Sequence, residues 1–111
     1  MQEGRQGEAV TLLNRVCELQ PDKALSWIKL AQCHYPIQRH REGLTAAEKA
    51  MALAESVEDK CAALNQRAIH RRELGQVQEA VEDCRAAIAL NPSDVAHHTN
   101  LLLFLLADPD V

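Results

Sequence analysis

Aromatic side chains are nearly missing from this chain: Trp27, Tyr35 and Phe104 are the only three among 111 residues. A β-sandwich or barrel draws on aromatic and β-branched residues to fill its faces, and a single-stranded nucleic-acid groove draws on aromatics to stack bases. Glycine and proline are scarce as well, four of each, so long regular elements with few turns are expected. There is no Gly-rich phosphate loop, no hydrolase elbow and no paired catalytic carboxylate. No CxxC occurs, and Cys17, Cys33, Cys61 and Cys84 stand too far apart for a metal motif. The apolar run from Leu101 to Ala107 is far too short to span a bilayer. The polar, mixed-charge start does not read as a secretory leader.

What is present is a small-aliphatic helix former's composition. Hydrophobic residues make up 47% of the chain and charged ones 25%, with a formal net charge of −4. That balance suits a soluble domain and gives no drive toward nucleic acid or an anionic membrane. The cysteines read as buried reduced thiols, which places the chain in the cytoplasm.

Three stretches repeat one pattern. They are Ala9, Val10, Leu13, Val16, Cys17, then Gly43, Leu44, Ala47, Ala50, Met51, then Ala80, Val81, Cys84, Ala87, Ile88. Within each the spacing is i, i+1, i+4, i+7, i+8, one face of an α-helix. The sets are offset by 34 and then 37 residues, and Leu19, Leu53 and Leu90 follow the same offsets. A partner helix precedes each later set, and one more follows the last. Trp27, Leu30, Ala31 and His34 mark one, Leu64, Ala68 and Arg71 the next, and His98 with Leu101 and Leu102 a third. The spacing predicts six helices, at about 5–20, 24–35, 40–55, 57–74, 77–90 and 94–106.

The boundaries have chemical causes. Gly75 can take the left-handed turn that ends a helix. Pro21 and Pro92 stop the helices before them, and Asp22 and Ser93 are candidate caps for those after. Pro36 closes the Trp27 helix early. Ser56 with Asp59 resembles a capping box. The three extra residues before Cys61 add a turn to that helix or sit in a loop.

A helix–turn–helix period of this length and pattern resembles the tetratricopeptide repeat (TPR) family. Leu64, Ala68, Gly75, Ala80, Ala87 and Pro92 fall on the family's signature places within 61–94. Residues 24–57 match through Trp27, Leu30, Ala31, Gly43 and Ala50, but carry Gln38 where glycine is usual and Glu55 where proline is usual. Residues 1–23 read as the second half of one repeat and 95–111 as the first half of another. The resemblance implies an all-α, α–α superhelix of about six helices with a concave groove, acting as a non-catalytic protein-interaction scaffold without cofactor or metal.

On the family's pattern the groove receives Leu25, Ile28, Lys29 and Gln32, then Ala62, Asn65, Gln66, Ile69 and Arg72, then Ala96, Thr99, Asn100 and Leu103. The expected peptide contacts are Lys29, Gln32, Asn65, Gln66, Ile69, Arg72 and Asn100, whose amides can bond a peptide backbone. Some family members clamp a chaperone's terminal carboxylate with Lys, Asn and Arg. The corresponding places here hold Ile28, Gln32 and Gln66, with only Lys29 nearby, so that clamp is absent. The segment from Asn91 to Asp110 is also similar to the join between TPRs and a bacterial O-GlcNAc-transferase-like domain. That similarity would make the chain a glycosyltransferase's substrate-presenting part.

The final helix is apolar on every side. Leu102, Leu103, Leu105 and Leu106 form an expected docking end, for a second copy or an adjacent domain. A self-associating structural protein is the third reading. Arg39, His40 and Arg41 with Arg67, His70, Arg71 and Arg72 read either as a basic edge or as solvated charges paired with Glu42, Glu73 or Glu79. Histidine–cysteine metal sites lack i, i+3 or i+4 spacing, and nothing orients Cys33 against His70 as a nucleophile pair.

Overall fold

The computed structural model describes residues 2–107. It contains α1 (Gln2–Leu19), α2 (Ala24–His34), α3 (His40–Leu53), α4 (Val57–Glu73), α5 (Val77–Leu90) and α6 (Val95–Ala107), and no strand among the described residues. Consecutive helices pack antiparallel through short turns, and α2 also touches α4. Two layers result: α2, α4 and α6 inside, α1, α3 and α5 outside. The described residues span 40 × 31 × 20 Å.

The core is built from small residues. Ala31, Ala47, Ala50, Ala63, Ala80 and Ala87 are fully buried. Their short side chains let helix axes approach at the close end of the usual 8–10 Å range. Cys17, Cys61 and Cys84 are buried with them, and Cys33 is half-buried.

The turns follow one recipe. Gly75 has φ of 85° and ends α4, with Gln76 N–H donating to Arg71 C=O at 2.7 Å. Thirty-seven residues earlier Gln38 takes the same left-handed conformation, φ 59°, with Arg39 N–H donating to His34 C=O at 3.0 Å. The family's glycine is missing at 38, but its backbone shape is kept. Ser56 caps α4 by accepting from Asp59 N–H at 3.1 Å. Because α4 starts at Val57, the extra residues before Cys61 lengthen the helix and form no loop.

Two expected caps are corrected. Lys23, without a side-chain cap, holds the N-terminal boundary of α2 in place of Asp22. At α6 the cap is Asp94, whose Oδ1 accepts from Ala96 N–H at 3.0 Å, while Ser93 Oγ bonds Asn91.

Candidate functional site

The inner helices carry equivalent positions at regular offsets, which sets side chains side by side across the concave face. Lys29, Gln66 and Asn100 share one register position, and Gln32, Ile69 and Leu103 share the one a turn further on. Between α2, α4 and α6 lies a pocket of about 380 Å³. Gln32, Tyr35, Gln66, Ile69, Arg72, Asn100, Leu103 and Phe104 line it. The volume lies within the 300–1,000 Å³ usual for ligand sites.

Five of the seven expected groove residues therefore meet in one pocket: Gln32, Gln66, Ile69, Arg72 and Asn100. Lys29 is exposed on α2 and Asn65 half-buried on α4, and neither lines it. Ile28, expected in the groove, is 2% exposed and packs with Ala50 and Ala63 where α2, α3 and α4 meet. Arg72 does not stand alone. Its guanidinium lies 4.6 Å from the Phe104 ring centroid and pairs with Glu73 at 3.1 Å.

The apolar end is split. Leu102 and Leu106 are exposed, and Leu103 is exposed at the pocket rim. Leu105 is corrected: with Leu101 it packs against the cluster of Ala68, Ala80, Val81, Cys84 and Phe104.

The basic groups on α4 are not a solvated edge. Asp83 of α5, 3% exposed, accepts from Arg67 at 2.8 Å and from Arg71 at 3.0 Å. Of the expected partners, Glu42 pairs with Arg39 at 3.9 Å on the surface and Glu73 with Arg72 at 3.1 Å, apart from this cluster. His70 is fully buried. Its Nε2 lies 2.8 Å from the Ala31 carbonyl oxygen, which only accepts, so Nε2 carries the proton and donates. Its neutral Nδ1 then accepts from His40 Nδ1–H at 3.0 Å. Tyr35 stands edge-on to His40, at 5.5 Å between ring centroids. With both nitrogens engaged, His70 is not free to activate Cys33. Burial, reinforced by His40 and His34, lowers the His70 pKa against the raising effect of its Ala31 bond. Burial likewise lowers that of His34. The sequence signal for this cluster was Gly43, where any Cβ would meet the His70 ring.

Among the described residues no group of three or more His, Cys, Asp or Glu is placed to hold a metal ion. No described helix is long and apolar enough to cross a membrane.

The family model described as tetratricopeptide repeat matches residues 61–94. Over those residues the chain is similar to a tetratricopeptide repeat, and they run from the second turn of α4 through α5 to the turn before α6. The human RPAP3 second TPR domain, solved in complex with an HSP70 peptide, superposes with a TM-score of 0.81 at 23% identity, covering 93% of this chain and 83% of that one. The Arabidopsis OM64 TPR domain gives 0.82 at 19%, covering 96% and 86%. The first TPR of Spaghetti (RPAP3), bound to an HSP90 peptide, gives 0.82 at 18%, covering 96% and 82%. At such identities these likenesses establish the TPR helical-repeat fold. No curated protein matches. Nothing in these comparisons supports the glycosyltransferase-like join.

Proposed function

We propose that the chain is a non-catalytic, cytoplasmic scaffold that holds an extended peptide or partner segment in the pocket between α2, α4 and α6. The observation that carries this is the convergence of three amides, Gln32, Gln66 and Asn100, one from each inner helix, around apolar Ile69 and Leu103. Each amide can donate to a peptide carbonyl and accept from a peptide N–H. Inner helices about 10 Å apart would meet an extended peptide, rising about 3.3 Å per residue, at every third residue. The amides would then bond the backbone while Ile69, Leu103 and Phe104 take side chains between them. This lining offers no carboxylate, histidine or thiol for acid–base or nucleophilic work.

The peptide complexes of the RPAP3 domains favour a peptide as the ligand class. The mode differs in this chain. Arg72 is the one cation in the lining, and it is already engaged by Glu73 and Phe104. A neutral stretch within a chain fits this lining better than a free C-terminal carboxylate.

The test is capture from a pool of short peptides blocked at both ends. Gln66→Ala with Asn100→Ala should weaken capture at least tenfold while leaving the thermal midpoint unchanged. Asn65→Ala, outside the pocket, should leave capture intact. Undiminished capture by the double variant would sink the reading. Stronger capture from a parallel pool with free C-termini would move recognition to a carboxylate clamp.

A further inference from the structure

Inside the fold, each inner helix α2 and α4 lies between two outer ones, but α6 has one face that no described helix covers. The uncovered face is the register equivalent of the one α4 presents to α5. Ala68 is 1% exposed in that seam, and its counterpart 34 residues on, Leu102, is 55% exposed. Cys61 is 5% exposed, and its counterpart Val95 is 73%. The other end shows the reciprocal gap. Ala46 and Ala50 of α3 are 2% and 0% exposed beside α2, whereas their counterparts on α1, Leu12 and Val16, are 60% and 37% exposed. One end thus presents the inner half of a seam and the other end the outer half.

The two halves match in chemistry, layer by layer. At one level the α4–α5 seam sets Arg67 and Arg71 against Asp83. At the same level the α2–α3 seam sets Leu30 and His34 against Ala46, and the two open faces would set the uncovered sides of Leu101 and Leu105, each half-buried against the α4–α5 cluster, against Leu12. At this level the outer helix carries a charge, Asp83, only where the inner helix answers it with arginines. If α6 received a helix like α5, Asp83 would be buried against two leucines, at the cost of an unpaired charge. The α1 face carries no such charge there. One level along, Ala68 meets Ala80, and the open faces would set a large Leu102 against a small Ala9. At the third level His98 takes the place that Trp27 and Leu64 hold in their seams, opposite Val16. Its ring is already fixed there: His98 Nε2 bonds the Pro92 carbonyl oxygen at 2.7 Å, as Trp27 Nε1 bonds that of Pro21 at 3.0 Å.

We propose that α6 of one copy docks on α1 of a second copy, head to tail, so that the second copy's α1 lies against α6 as α5 lies against α4. The seam continues the internal one across the junction and completes a repeat from two half-repeats. Because the two surfaces differ, the contact is heterologous, and because it repeats the internal step from one helix pair to the next it builds an open stack and not a ring. Successive copies add to an open stack with one continuous concave face.

The test is sedimentation velocity of the chain over a wide concentration range, with Leu12→Glu and Leu102→Glu, both at exposed positions. Helical circular dichroism checks that each variant is folded, and Val16→Lys replaces Leu12→Glu where it is not. The parent chain should grow beyond the monomer with concentration, and each variant alone should stay monomeric. An equal mixture of the two should form a dimer and stop there, since one intact face of each kind remains. A parent chain that stays monomeric, or a mixture that does, overturns the proposal. Self-association by Leu12→Glu alone overturns it too, and would assign the contact to two α6 faces.

Discussion

The imidazole of His70 lies in the space that a side chain at Gly43 would occupy: a Cβ built there would overlap the ring. Helix propensity alone says that Gly43→Ala should stabilise α3 by about 1 kcal/mol. Overpacking against a fully buried ring costs about 1–3 kcal/mol and should win. Gly7→Ala is the control, because nothing lies within 4 Å of a Cβ there. Thermal melts should show Gly7→Ala unchanged or higher and Gly43→Ala lower. Both moving up would show that the ring yields freely.

Acid should weaken the fold through the same ring. The pKa values of His70 and His34 are lowered in the folded state, chiefly by burial. The unfolded chain therefore binds protons that the folded chain refuses, and stability falls as pH drops below the ordinary histidine value of about 6.5. Around His70 stand His40, His34 and Glu73. A proton added at His70 Nδ1 would set two N–H groups face to face at 3.0 Å. Urea midpoints should decline from pH 7.5 to 5, and His70→Gln should flatten part of that slope. An unchanged slope in His70→Gln would assign the effect to other groups.

Gln38 stands in a backbone conformation that glycine holds in the next repeat. A Cβ in the left-handed region costs about 1–2 kcal/mol, while glycine's extra freedom in the unfolded chain costs about 0.5–1 kcal/mol. Gln38→Gly should raise stability by up to about 1 kcal/mol, and Gly75→Ala should lower it by a similar amount. Chemical denaturation of the two variants checks the pair of opposite signs.

The thiols should react in order of access. Cys84 is 2% exposed and its pKa is raised to about 11, by burial first and by Asp83 second. At pH 8 that leaves about one thiolate in a thousand. Cys17 and Cys61 are buried and raised as well. Half-buried Cys33 should be the first labelled by a disulfide reagent under native conditions, with the other three following only on unfolding. Peptide mapping that finds Cys84 labelled first would contradict the packing described.

Much of the architecture was legible in spacing. The five-point pattern at offsets of 34 and 37 residues placed six helices within a residue or two of their observed ends, apart from the start of α1, and Gly75 and Ser56 marked real boundaries. Convergence of Gln32, Gln66, Ile69, Arg72 and Asn100 on one pocket follows from the same register. What spacing could not show depends on a third helix. Ile28 sits on the inner face of α2, yet α3 and α4 close over it. His70 reads as one more polar group on a charged helix end, and only the absent side chain at Gly43 admits it to the core. Arg67 and Arg71 have nearby glutamates in sequence, but the carboxylate they bind, Asp83, lies on the inward face of α5. The caps at 22 and 93 failed for a local reason: a capping side chain must stand at the first turn's boundary, and Asp94 is one residue better placed than Ser93.

The indole of Trp27, tied to Pro21 and lying 5.9 Å from Lys49 Nζ, packs against the α1–α3 core and the α3–α4 seam. No other tryptophan exists to report on α5 and α6. Fluorescence will follow the loss of the α1–α3 core and the α3–α4 seam, while far-ultraviolet circular dichroism follows all six helices. In a stack held mainly by nearest-neighbour seams, the two ends can melt at different temperatures. Overlay of the two signals measures how strongly α5 and α6 are coupled to the rest, with no label added.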